Sequence, residues 1–299
     1  MSSELSILLV TDSLDAIAIA LDCYRIATDP SRVELVVAAI AGAHLAPEAL
    51  VAAGFQIVRV VDGGDGALQT AEWRAFQAAT APLVVFAQAH AYPRPGFGAA
   101  IVAARASDRG AVIGPSMANA NPATLVSRVA MWLAYGRWIG GPLSGPASDV
   151  PGHSSAYDRE VLGSLGDELV PLLEAGWPLQ AELAARGHRC FLAAEACVEI
   201  VNPARAWPFV SHFFHVGWMV AAKRTRRWSM VRRLAYALAS PVIPFVRLRR
   251  IVVDSVRRGI DAPWGGLPLL VLGLGASAAG EWCGYMLGFG PPSRFVRRT

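Results

Sequence analysis

Strand-like and helix-like hydrophobic patterns alternate through the first hundred residues, and that alternation restricts the chain to few architectures. The run LSILLV at residues 5–10 is short and apolar and stops at Thr11-Asp12-Ser13, a turn and helix-cap cluster, so it predicts a buried strand. Apolar residues at helical intervals over 14–28 predict a helix. Further strands are expected at 33–40 and at 55–62, where the pattern breaks at Asp62-Gly63-Gly64. A helix over 68–80 then leads into a strand at 83–87. Strands alternating with helices argue for a mostly parallel sheet covered on both faces. Ligands of such sheets bind beyond the carboxyl ends of the strands. The polar residues at those ends are Thr11, Asp12, Asp62, Gln88 and His90, which makes them candidate ligand contacts.

Further along, residues 111–138 give another strand, the polar turn Asn119-Ala120-Asn121-Pro122 and an amphipathic helix. Residues 139–153 are rich in Gly, Pro and Ser and are expected to form a mobile loop. A helix is expected over 167–187, closed by Gly187, followed by strand and bend over 188–201. The four cysteines are scattered, with no CxxC pair and no zinc-finger spacing, so free thiols are expected. The N-terminus carries Glu4 and no basic segment ahead of a short apolar stretch, which argues against a signal peptide and for an intracellular protein.

The net charge of +4 conceals an asymmetry that defines the last third of the chain. Residues 205–258 hold twelve Lys and Arg against one acid, Asp254, and the basic residues interleave with long apolar blocks. Apolar faces entering a headgroup boundary while arginines meet phosphates suit an anionic membrane surface. Nucleic acid is not expected as a partner, because no reading motif accompanies the arginines. Residues 262–293 follow with a single charge, Glu281, but with five glycines and two prolines among the nineteen residues ahead of it. Basic residues flank this stretch on both sides, so a re-entrant hairpin or an interfacial helix pair is expected rather than one straight span. The division anticipated from composition is therefore 1–203 and a basic, apolar, helical, membrane-associating region at 204–299.

The order and spacing of three segments carry a resemblance. ILLVTDS, AEWRAFQAATAPLVVFAQAH and PGHSSAYDREVLGSLG follow one another as the nucleotide-facing strand, the helix and strand leading to a metal motif, and the polar turn before a helix do in family 2 glycosyltransferases of GT-A fold. The resemblance covers roughly residues 5–200, and GEWCGYMLGFG resembles the tails of membrane-associated bacterial members. It implies a GT-A fold, a Rossmann-like α/β mixed sheet with helices on both faces. It also implies a nucleotide-sugar donor, a lipid-linked or polysaccharide acceptor, inversion at the sugar, and action at the cytoplasmic side of the cell membrane.

The sequence departs from the family at two places. Gln88-Ala89-His90 stands where an acidic pair would hold Mg²⁺ or Mn²⁺, so His90 either binds a metal or donates to a phosphate without one. The position expected for the general base falls on Gly176. Asp158 and Glu174 are the nearby carboxylates considered as catalytic groups, and His153, Ser154 and Ser155 are expected on the acceptor side. The alternative function is a catalytically impaired relative that acts as a binding or scaffold partner.

Overall fold

The computed structural model describes residues 3–64, 67–107, 110–139, 144–173, 176–225, 228–258 and 263–288, with backbone only for 254–258. The chain divides into two compact units. The first comprises 1–118 and 141–200; the second comprises 119–140 and 201–299. Residues 119–140, which the sequence reading keeps within 1–203, thus cluster with the C-terminal part.

Alternation of strand and helix builds the first unit: β1 Leu5–Thr11, α1 Leu14–Ala27, β2 Val33–Ile40, α2 Pro47–Ala52, β3 Ile57–Gly64, α3 Leu68–Ala78 and β4 Leu83–Phe86. Then come β5 Ala91–Pro93, α4 Phe97–Ala106 and β6 Val112–Asn119, with α5 Leu125–Tyr135 belonging to the second unit. The remainder is β7 Gly145–Ala147, β8 Ala156–Asp158, α6 Arg159–Gly163, α7 Leu169–Leu173, α8 Gly176–Ala185 and β9 Cys190–Ile200. The strands form one sheet in the order β3-β2-β1-β4-β8-β6-β9-β5, with β7 paired to β9. Strands β1 to β4 are parallel, as their apolar runs imply, whereas β8 pairs antiparallel with β4 and β6, and β5 and β7 pair antiparallel with β9. The sheet is therefore mixed.

Burial explains the parallel half. Every residue of β2 is buried, which a strand covered on both faces requires. Helix α1 starts at Ser13, whose hydroxyl accepts from the Ala16 amide, and buries Ile17, Ala20, Leu21 and Tyr24 on one stripe. Glu34, alone among charged residues within β2, is buried and held by Ser6 Oγ at 2.6 Å, Thr80 N at 2.7 Å and Arg59 Nε at 2.6 Å. Burial alone would raise its pKa, but these donors together hold it below the usual carboxylate value.

The helix expected over 167–187 is described as α7 and α8, with 174–175 between them outside the described residues, and Gly187 follows α8 with φ of +87°, the left-handed turn a helix C-terminus favours in glycine. The strand and bend expected over 188–201 is one uninterrupted strand of eleven residues. The short elements α2 and β5 have too few residues for a periodic signal, and they go unread in the sequence.

The second unit contains α5, α9 Ala206–Arg224, α10 Met230–Ala239, α11 Ile243–Arg258 and α12 Leu267–Leu287. Helix α12 is a single helix of 21 residues, so the hairpin or helix pair expected within 262–293 is not formed among the described residues. It packs closely on α9. A Cβ at Gly280 would lie 1.9 Å from the Phe214 carbonyl oxygen, and one at Gly217 would lie 2.1 Å from that of Ser277, so only glycine admits the contact. Val129, Trp132, Phe209, Phe213, Leu270 and Leu274 form the core between α5, α9 and α12. The one charge of α12, Glu281, is buried and paired with Arg247 of α11 at 3.2 Å.

Candidate functional site

The parallel strands direct their carboxyl ends to one edge, and β4 sits at the centre of that edge between β1 and β8. Beyond Phe86 the chain turns tightly, with the Ala91 amide donating to the Gln88 carbonyl at 3.1 Å, and this turn carries His90. The His90 imidazole lies edge-on to that of His153, with ring centroids 6.2 Å apart. Although part of His90 remains exposed, crowding by the surrounding protein lowers its pKa, so it is neutral at neutral pH. The side-chain oxygen of Gln88 is buried and has no hydrogen-bond partner among the described residues.

His153 reaches this position because its loop is fastened from several directions. The Ser154 amide donates to the Phe86 carbonyl at 3.3 Å, and the Tyr24 hydroxyl of α1 donates to Ser154 Oγ at 3.4 Å. Ser154 has a φ of +57°, a conformation that costs a non-glycine residue about 1–3 kcal/mol and persists where its surroundings enforce it. Ser155 Oγ donates to the Pro151 carbonyl at 2.5 Å. From the other side, Gln180 of α8 accepts from the Val150 amide at 3.1 Å and points its amide nitrogen at Pro151 O and the Tyr157 hydroxyl. Finally, Gly152 lies against Gly176, where a Cβ would come within 2.5 Å of the Gly152 Cα.

Against this geometry the expected site residues separate into groups. Gln88, His90 and His153 come together at the end of β4. Ser154 and Ser155 are adjacent, but both are buried and their hydroxyls are engaged within the protein, so they hold the loop rather than face an acceptor. Thr11 lies at the end of the neighbouring strand, yet its hydroxyl donates to Ser13 O at 2.6 Å and is buried in the turn. Asp12 is exposed at the same edge. Asp62 ends β3, three strand positions from β4 and so roughly 14 Å away at ordinary strand spacing. Its carboxylate caps the Gly64 amide at 2.8 Å and meets Arg74 at 3.2 Å.

Asp158 is placed elsewhere. It pairs in register with Leu83, at the beginning of β4 and away from His90. It caps α6 through the amides of Glu160 and Val161 and binds Arg105 at 2.5 Å, so its role in the structure is a cap and an ion pair. Glu174 lies outside the described residues. Gly176 does not leave a vacant position for a base, because the Gly152 backbone fills the space a side chain would need.

Sequence reasoning missed Tyr24, Gln180, Gly152 and Glu72. One of them carried a signal: Gly152 is an isolated glycine, and a close backbone approach is one reason for such a residue. Glu72 of α3 has a buried Oε2 without a hydrogen-bond partner among the described residues, and burial pushes its pKa up to about 8. Its charge bears on Tyr157, whose hydroxyl burial pushes up to about 12.

A hard divalent cation is poorly matched to this edge. Mg²⁺ and Mn²⁺ prefer carboxylate and other oxygen ligands. Gln88 supplies one amide oxygen, and His90 and His153 supply imidazoles. Among the described residues no group of three or more His, Cys, Asp or Glu is placed to hold a metal ion.

No family model and no curated protein matches the chain. Solved structures do. The chain is similar to the mannosyltransferase PcManGT from Pyrobaculum calidifontis, solved in complex with GDP-Man and Mn²⁺, at 17% identity and a TM-score of 0.51, covering 99% of this chain and 79% of that one. It is also similar to GalNAc-T7, solved with UDP, GalNAc and Mn²⁺, at 14% identity and a TM-score of 0.50 over 67% of this chain. It spans only 43% of that GalNAc-T7 chain. S. aureus TarS matches at 13% identity and a TM-score of 0.46, covering 96% of this chain and 92% of that one. The shared fold is GT-A: a mixed sheet flanked by helices, with one apolar helix at the C-terminal end here.

Proposed function

We propose that this chain is a nucleotide-sugar-dependent inverting glycosyltransferase that acts at the cytoplasmic face of the membrane on a lipid-linked or envelope glycan acceptor. The observation that carries the reading is the His90–His153 pair, held at the ligand edge of a GT-A sheet by a loop with a strained Ser154. Strain retained at one loop residue beside two imidazoles supports a site that is organised in advance.

In the proposed reaction the acceptor hydroxyl oxygen bonds to the anomeric carbon as the bond to the diphosphate breaks. The nucleoside diphosphate leaves with the electron pair, and the hydroxyl proton passes to a base. Neutral His90 donates its N–H to a diphosphate oxygen, and His153, one imidazole away, takes the proton. Asp12 meets the ribose or base of the donor. Because the residues present do not fit Mg²⁺ or Mn²⁺, no step is routed through a metal.

The test is turnover and hydrolysis against a panel of nucleotide-sugars, with and without Mg²⁺ or Mn²⁺. Transfer that continues in chelator is expected, and His90→Ala is expected to lower kcat/KM roughly a hundredfold. Near-normal rates in that variant would remove His90 from the mechanism. The second reading, a binding partner without activity, is favoured by the Gly152–Gly176 contact, which closes the position where the family resemblance calls for a base. Donor binding with no turnover for any donor and acceptor would establish it.

A further inference from the structure

We propose that α10 and α11 form a docking surface for an anionic phospholipid membrane and lie in the plane of its headgroups. This deepens the membrane part of the function proposed above and rests on that part alone.

The outward face of the two helices is apolar where a water-facing helix would be polar. On α10, Met230, Val231, Leu234 and Leu238 fall within an arc of about 100° at 100° per residue. Val231 is 78% exposed and Leu238 81% exposed, so among the described residues nothing covers this arc. The turn into α11 and its first residues continue the exposure with Val242, Phe245 and Val246, Phe245 being 71% exposed. The opposite side of α11 faces the core, through Leu248 and Ile251 and through Arg247, which is spent on Glu281 and Ser277.

Basic residues border the apolar face. Arg249 and Arg250 are exposed beside Phe245 and Val246. Arg232, about 100° beyond the edge of the α10 arc, lies over the Trp228 ring at 4.1 Å. The stretch 205–258 contains one acid against twelve basic residues. That balance selects the occupant. A second copy of the chain would set the same positive charge against itself, whereas anionic headgroups neutralise it and the adjoining acyl region accepts the apolar side chains. One face of α12, with Leu270, Leu274, Ala278 and Glu281, is packed inside the unit, and its Gly280 meets the α9 backbone.

Co-sedimentation of the full chain with vesicles of phosphatidylcholine, or of phosphatidylcholine with phosphatidylglycerol, tests this. Binding only to the anionic vesicles, with release by high salt, is expected. Arg249→Gln with Arg250→Gln should lower partitioning roughly thirtyfold, at about 1 kcal/mol per basic residue near an anionic surface. Leu238→Asp with Phe245→Asp should lower it by about tenfold or more. All four positions are exposed, so the variants should keep the wild-type circular dichroism spectrum. Equal binding to neutral vesicles, binding insensitive to both double variants, or bound protein that resists high salt would overturn the proposal. So would a concentration-dependent dimer that Leu238→Asp abolishes in a protein that ignores vesicles. No donor or acceptor is present in these measurements, so their failure and a failure of the transferase reading are separately visible.

Discussion

As pH rises from 4.5 to about 8 the wild-type protein is expected to lose up to about 5 kcal/mol of folding stability through Glu72 alone, at about 1.4 kcal/mol per pKa unit. The sign follows from burial. In the folded protein the Glu72 carboxyl stays protonated to about 8, whereas in the unfolded chain it ionises near 4.5. The folded state therefore binds the extra proton across that window, and stability present below it is lost as pH climbs through it. Glu72→Gln keeps the shape and cannot ionise, so the wild-type urea midpoint should fall relative to that of the variant as pH rises across the window. Other titrating groups are common to both proteins and cancel in the difference. Two profiles that run parallel across the window would show that Glu72 reaches solvent in the folded state.

The same carboxyl shows how unevenly the structure can be read from sequence. The strands β1 to β4 announce themselves, because each is a short, mainly apolar run, and β1, β2 and β4 are almost wholly buried while β3 forms the half-exposed edge. Glu72 gives no such sign: within AEWRAFQ it looks like an ordinary polar residue of a surface helix, and only the packing around α3 buries its carboxyl. The candidate site divides in the same way. His90 and Gln88 were identifiable because strand ends present ligands in this architecture. Their pairing with His153 was not, since it depends on a loop whose path is set by Tyr24, Gln180 and a glycine contact, all distant in the chain. Asp158 misled for a related reason. A carboxylate beside an arginine at a helix start reads equally as a catalytic group or a cap, and only the antiparallel register of β8 shows which end of the sheet it occupies.

Gly176→Glu is expected to abolish function rather than improve it, although it restores the residue type that the resemblance to family 2 glycosyltransferases calls for at this position. The new Cβ would stand 2.5 Å from the Gly152 Cα and 2.8 Å from its carbonyl oxygen, about 1 Å inside ordinary contact. Backbone, not a flexible side chain, receives the clash, so the 150–155 loop must move. That loop holds His153 beside His90, and a displacement of about 1 Å in a reacting geometry costs on the order of a hundredfold in rate. Overpacking adds up to about 3 kcal/mol of destabilisation, and with it further loss. Both effects are measurable together as kcat/KM and as the urea midpoint. Gly176→Ala isolates the clash from the charge, since it brings the same Cβ without a carboxylate and should lose a comparable share of each. A Gly176→Glu protein that turns over faster than wild type would mean that the loop yields freely and that a carboxylate base is what this site lacks.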